Sequence, residues 1–211
     1  MHPFLSRLGV EPVIQEFFEP FYRADEFGNL LFDYGDGMEH FGFAFHKVPL
    51  SRNFWMAGNR NFSQVRQVVI CASAMEAVSW LKNKQAALSL WESLLFLSGG
   101  VRLLPAHSLW LTTHLQAKEF RLVFGRDLLG RMAELKLAAA IRNWPLEIYD
   151  GGDCILVSFR SRTFCFSQEK FSLNAFEKVA NCRLGIRCDK PKGYDSFFDL
   201  IKANAFPNIQ S

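Results

Sequence analysis

From residue 67 onward, short apolar runs alternate with stretches in which apolar positions recur every three to four residues. Val68-Val69-Ile70-Cys71 and Leu94-Leu95-Phe96-Leu97 are continuous apolar runs, and Arg121-Leu122-Val123-Phe124 is nearly so. A strand covered on both faces reads this way, because neither face can carry polar side chains. Between the first two runs, Ser73 precedes Met75, Val78 and Leu81 at helical spacing. That pattern predicts a serine-capped helix over 74–83. Further helices are predicted over 85–92, 106–116 and 128–142, with a fourth strand over 145–149. Strand–helix alternation of this kind predicts a mostly parallel sheet flanked by helices, joined by right-handed crossovers. After Gly151-Gly152, strands are expected over 155–159 and 163–166, then helices over about 172–181 and 194–203.

The first sixty residues read differently. Phe4, Leu5 and Leu8 followed by Val13, Ile14, Phe17 and Phe18 predict a helical region over 4–18. Strands are expected over 29–34 and 40–47, split by the turn Gly35-Asp36-Gly37. Residues 49–66 are polar and read as irregular, so the join between two units is placed there. The division is a small α+β N-terminal subdomain over 1–60 and an α/β domain with a C-terminal extension over 61–211.

Charge sharpens this division. Residues 1–50 carry 3 Lys/Arg against 8 Asp/Glu, whereas the rest of the chain carries 21 against 13. The densest basic stretch, 160–192, places any nucleic-acid surface in the later part of the chain. The 211 residues are 49% apolar, and the net charge is only +3, which excludes disorder as the main state. No apolar run reaches the ~18 residues of a membrane helix, and no signal peptide is visible. Five cysteines without a C-x-x-C pair fit a cytoplasmic protein with free thiols. Three of them, Cys71, Cys154 and Cys165, fall in strand-like runs and read as small hydrophobes. The 22 Phe read as core, with a base-stacking platform as the alternative. His107 and His114 read as surface or satisfied core histidines. His40 and His46 are expected on one extended strand, about 20 Å apart and too far to share a metal.

Three segments together resemble the Toprim domain of primases and primase-like proteins of bacterial mobile elements. The stretch from His2-Pro3-Phe4-Leu5 to Phe41-Gly42-Phe43 is similar to the region preceding that domain. Val68 through Val78 looks like the first Toprim motif, a strand followed by E-G-x-x-D-A-L. Leu122 through Arg131 looks like the second, a strand followed by D-x-D-x-x-G-R. Lys192-Gly193-Tyr194-Asp195 is a fainter echo of the closing motif. The resemblance implies a Toprim-like, Rossmann-like fold.

In that family a glutamate acts as acid/base and paired aspartates hold magnesium. Here the glutamate position falls on Ala72 and the first aspartate on Gly125. The positions left are Glu76 and Asp127, with Asp127 the remaining candidate metal ligand. A rearranged site drawing on Glu76, Asp127, Asp150 and Asp153 would instead hold Mg2+ or Mn2+. Arg126 and Arg131 flank Asp127 and, with Arg160, Arg162, Lys190 and Lys192, are the candidate nucleic-acid contacts.

The function expected from this resemblance is non-catalytic: binding of nucleic acid, single-stranded DNA first, or docking onto replication or mobilisation proteins, with no cofactor and no membrane. One alternative is a metal-dependent, primase-like phosphoryl-transfer enzyme. The absence of a zinc-ribbon segment before His2 argues against autonomous priming. The other alternative is a protein-interaction module without a nucleic-acid role.

Overall fold

The computed structural model describes residues 1–84, 91–115 and 118–207. It is a mixed α/β fold with seven α-helices and three sheets among the described residues. The central sheet has five strands, β5 (Leu50–Gly58), β6 (Gln67–Cys71), β7 (Leu94–Gly100), β8 (Glu119–Val123) and β12 (Arg187–Cys188). Their order is β12-β8-β6-β7-β5. β6 runs parallel to both β7 and β8, β12 runs parallel to β8, and β5 is an antiparallel edge.

The continuous apolar runs have the cause expected. Val69, Cys71, Leu94 and Phe96 face one core cluster, while Val68, Ile70, Leu95 and Leu97 face the other. The first cluster is covered by α1 (Pro3–Arg7), α2 (Pro12–Phe18), α3 (Ala74–Asn83) and α7 (Phe197–Ala205). It is shared with an N-terminal antiparallel sheet of β1 (Arg23–Ala24), β2 (Leu30–Asp33), β3 (Met38–Phe41) and β4 (His46–Lys47). The second is covered by α4 (Pro105–His114), α5 (Leu128–Ile141) and α6 (Leu173–Val179). A three-stranded antiparallel sheet, β9 (Leu146–Asp150), β10 (Ile155–Phe159) and β11 (Arg162–Phe166), closes that side. Most phenylalanines lie in these two clusters, whereas Phe27, Phe43 and Phe45 are exposed.

Several elements depart from the sequence reading. The helical region 4–18 is two helices, because Gly9 takes a positive φ of 69° between them. The strand expected over 40–47 breaks at Gly42, whose amide bonds Phe45 O at 2.9 Å. His46 therefore lies opposite Phe41 on the neighbouring strand rather than further along the same one. Residues 49–66, read as irregular, contain the nine-residue strand β5; its polar Ser51, Arg52 and Asn53 hid the strand pattern. β9 does not extend the parallel sheet, because it pairs antiparallel with β10. The parallel position beyond β8 is taken by the two residues of β12, too short to leave a period in the sequence. Cys71 is buried as expected, but Cys165 is exposed. Most of the helix expected over 85–92 lies outside the described residues. No described helix is long and apolar enough to cross a membrane.

Candidate functional site

The chain leaves β6 through α3 to reach β7 on one side, then passes through α4 to β8 on the other side of β6. The sheet order therefore switches direction between β6 and β8. In open α/β sheets the crevice outside the carboxyl ends of the strands at such a point is where ligands bind. A cavity of about 700 Å³ lies there, lined by Ala72, Ser73, Glu76, Gly125, Arg126 and Asp127, and by Asp195 and Asp199 from the segment entering α7.

Three helix N-termini border this crevice, and each is already filled. Ser73 Oγ accepts the Glu76 amide of α3 at 3.0 Å. Asp127 Oδ1 accepts the Gly130 amide of α5 at 3.0 Å. Ser196 Oγ accepts the Asp199 amide of α7 at 3.0 Å. Glu76 adds a second cap to α7, with Oε1 accepting from Phe197 N at 2.7 Å and Oε2 from Phe198 N at 3.0 Å. The positive end of a helix makes this a favourable place for a carboxylate. Burial nevertheless pushes the Glu76 carboxyl up to about 7, against the pull of those two amides.

Glu39 does the same for α3 and is fully buried. Its oxygens accept from Ala74 N at 2.8 Å, Met75 N at 3.1 Å and the Tyr34 hydroxyl at 2.7 Å, and His46 Nε2 lies 2.9 Å away. Sequence reasoning missed Glu39. The signal was there: at period two on β3, Glu39 shares the inward face of Phe41.

The position of Gly130 admits only glycine. A Cβ there would stand 2.5 Å from Gly125 O and 2.7 Å from Asp127 Oδ1. The first turn of α5 packs on the end of β8 too closely for any side chain.

The candidate cations are brought partly together. Arg126, Arg131 and Lys190 line one pocket of about 490 Å³ with Glu134 and Glu177. Each holds backbone carbonyls there. Arg126 donates to Tyr194 O at 3.0 Å and Pro191 O at 2.7 Å. Arg131 donates to Glu169 O and Phe171 O, both at 3.0 Å, rather than pairing with Glu134. Lys190 Nζ donates to Phe124 O and Gly125 O and lies 2.7 Å from the buried Glu134 carboxylate. Burial raises the Glu134 carboxyl and Lys190 opposes the rise.

Arg160 and Arg162 lie apart from these, at the β10–β11 hairpin. Arg160 covers Trp144 and Phe159, and Arg162 covers Phe164. Lys192 is exposed on the segment before α7. Asp150 accepts the Gly152 amide at 2.9 Å, a turn role, and neither it nor Asp153 lines the crevice. His107 is the satisfied core histidine expected: it is buried, Nδ1 accepts from Leu104 N, and Nε2 lies 3.2 Å from Asn53 O. Burial lowers its pKa.

A magnesium ion of the kind the resemblance implies does not fit these residues. Ala72 and Gly125 offer no side-chain ligand, both Glu76 oxygens hold amides, and Asp127 caps α5. Among the described residues no group of three or more His, Cys, Asp or Glu is placed to hold a metal. Compared with family models, curated proteins and solved structures, the chain matches none.

Proposed function

We propose that this chain is a non-catalytic nucleic-acid-binding protein built on a Toprim-like frame, with single-stranded DNA as its ligand. By the same resemblance it serves as an accessory in replication or mobilisation of a mobile element. One observation carries the reading. At the switch point, where Toprim chemistry needs free acids, Ala72 and Gly125 stand, and the nearby Glu76 and Asp127 hold helix N-termini. Such an arrangement lacks the set of free oxygens that holds a hard cation. The excess of cations outside the first fifty residues supports a phosphate-binding role.

Fluorescence anisotropy of a labelled oligothymidylate of about 20 nucleotides, longer than the ~4–16-nucleotide sites of single-strand binders, tests this. Titrations run at ~50 and ~200 mM salt, with EDTA and with Mn2+. Binding that persists in EDTA and falls steeply with salt is expected. Binding only with Mn2+, lost in Asp127→Ala, would instead favour the metal-dependent enzyme. No binding in any condition would leave the interaction module.

A further inference from the structure

Away from the switch point, a second cavity of about 670 Å³ runs between the N-terminal sheet, the β5 edge of the central sheet and α4. Arg23, Arg52 and Arg60 line it, and all three are exposed. Its aromatic walls include Tyr22 from the strand entry, Trp110 from α4, and Phe21, over whose ring the Arg60 guanidinium sits at 5.7 Å.

The state of these arginines differs from that of the arginines around the switch point, and all three meet at one cavity. Among the described residues none of the three pairs with a carboxylate, whereas Arg121, Arg187, Lys82 and Lys190 all do. Nor do their guanidiniums hold backbone carbonyls in the manner of Arg126, Arg131 and Arg142. One carboxylate, Asp33, lines the cavity, and it accepts the Gly35 amide at 2.7 Å. Asp36 lies close by but is turned to Ser51 and to the Arg52 amide.

We infer that this groove is where the nucleic-acid strand binds, with Arg23, Arg52 and Arg60 on its phosphates and the aromatic walls against its bases. The inference rests on the nucleic-acid reading above and moves the contact surface away from the basic 160–192 stretch. A guanidinium fork matches phosphate oxygens. Aromatic faces beside a cationic track are the pairing that holds single strands without reading sequence. An acidic peptide would use the same charges but not the aromatic walls. The size lies within the ~300–1,000 Å³ range of ligand pockets. The charge average of the first fifty residues concealed the site, because the three arginines come from positions 23, 52 and 60 and meet only in the fold.

The test compares three triple variants of the full chain in the anisotropy titration, with thermal melts as the fold control. Arg23→Ala, Arg52→Ala, Arg60→Ala is expected to weaken oligothymidylate binding at least ~10-fold at ~50 mM salt. It should also flatten the log–log salt slope by about 2, at ~0.7 per lost single-strand phosphate contact. Replacing the same arginines by lysine keeps the charge and is expected to restore the slope. Arg160→Ala, Arg162→Ala, Lys192→Ala is expected to bind like the parent. The reverse pattern would overturn the groove assignment and leave the nucleic-acid reading standing elsewhere on the surface. Displacement of the strand by polyglutamate as readily as by unlabelled oligothymidylate would also overturn it, in favour of an acidic peptide. Absence of binding by the parent chain would overturn both readings.

Discussion

The switch-point crevice and the arginine groove are nearly equal in size, and their polar groups are in opposite states. In the crevice, Glu76, Asp127, Arg126 and Ser73 all bond to the chain itself. In the groove, three guanidiniums face a cavity without a carboxylate partner among the described residues. A polar group held by its own fold lowers the free energy of folding, because breaking that bond leaves buried donors or acceptors bare. A polar group without such a bond adds little to folding and is available to a ligand. Position in the fold marks the crevice as a place for ligands, and its hydrogen bonds tie these four groups to the fold.

The comparison breaks first if the groups bonded within the fold, at the crevice and beside it, prove dispensable. Glu39→Ala should have the largest effect, since it strips partners from the buried Ala74 and Met75 amides and the Tyr34 hydroxyl. Tyr34 keeps its bond to Ser98, so at ~1–3 kcal/mol for each of the two orphaned amides the loss should reach roughly 4 kcal/mol in urea unfolding. Lys190→Met leaves the Glu134 carboxyl buried without its cation and should cost about 3 kcal/mol.

Glu76 sharpens the comparison through pH. Its folded pKa of about 7 lies above the ordinary value of 4.5. The folded state therefore keeps a proton that the unfolded chain releases, and stability falls as pH rises from about 4.5 through about 7. Two and a half pKa units set an upper bound of about 3 kcal/mol across that window. Urea midpoints of Glu76→Gln should lack this fall, while those of the parent chain show it.

Gly130→Ala should cost about 2 kcal/mol, because its methyl group meets the fixed carbonyl of Gly125. The groove should give the smallest change. Alanine at Arg23, Arg52 or Arg60 should move stability by less than about 0.5 kcal/mol, as surface changes do. A larger loss at any of them would show that the arginine is tied to the fold.

The parallel strands were legible because burial on both faces leaves an unbroken apolar run, as in Val68–Cys71. The cap at Ser73 was legible because a residue type that accepts amide hydrogens stands just before a helical period, whereas Asp127, read as a metal ligand, proves to be a cap of the same kind. β5 was not, since its bulged stretch carries Ser51, Arg52 and Asn53. The roles of Glu76 and Arg126 were not either, because their partners at 197–198 and 191–194 are far along the chain. The groove depended on distant contacts in the same way. Charge counted along the sequence pointed to 160–192, where the structure shows Lys190 bonded to Glu134 and to backbone carbonyls.

Hydrogen–deuterium exchange of the full chain, with and without a saturating oligothymidylate, tests the contrast between the two regions most directly. The account predicts new protection in peptides covering 20–23, 52–56 and 60, and none in those covering 72–76 and 125–131. Protection concentrated at the carboxyl ends of β6 and β8, with the groove unchanged, would contradict it.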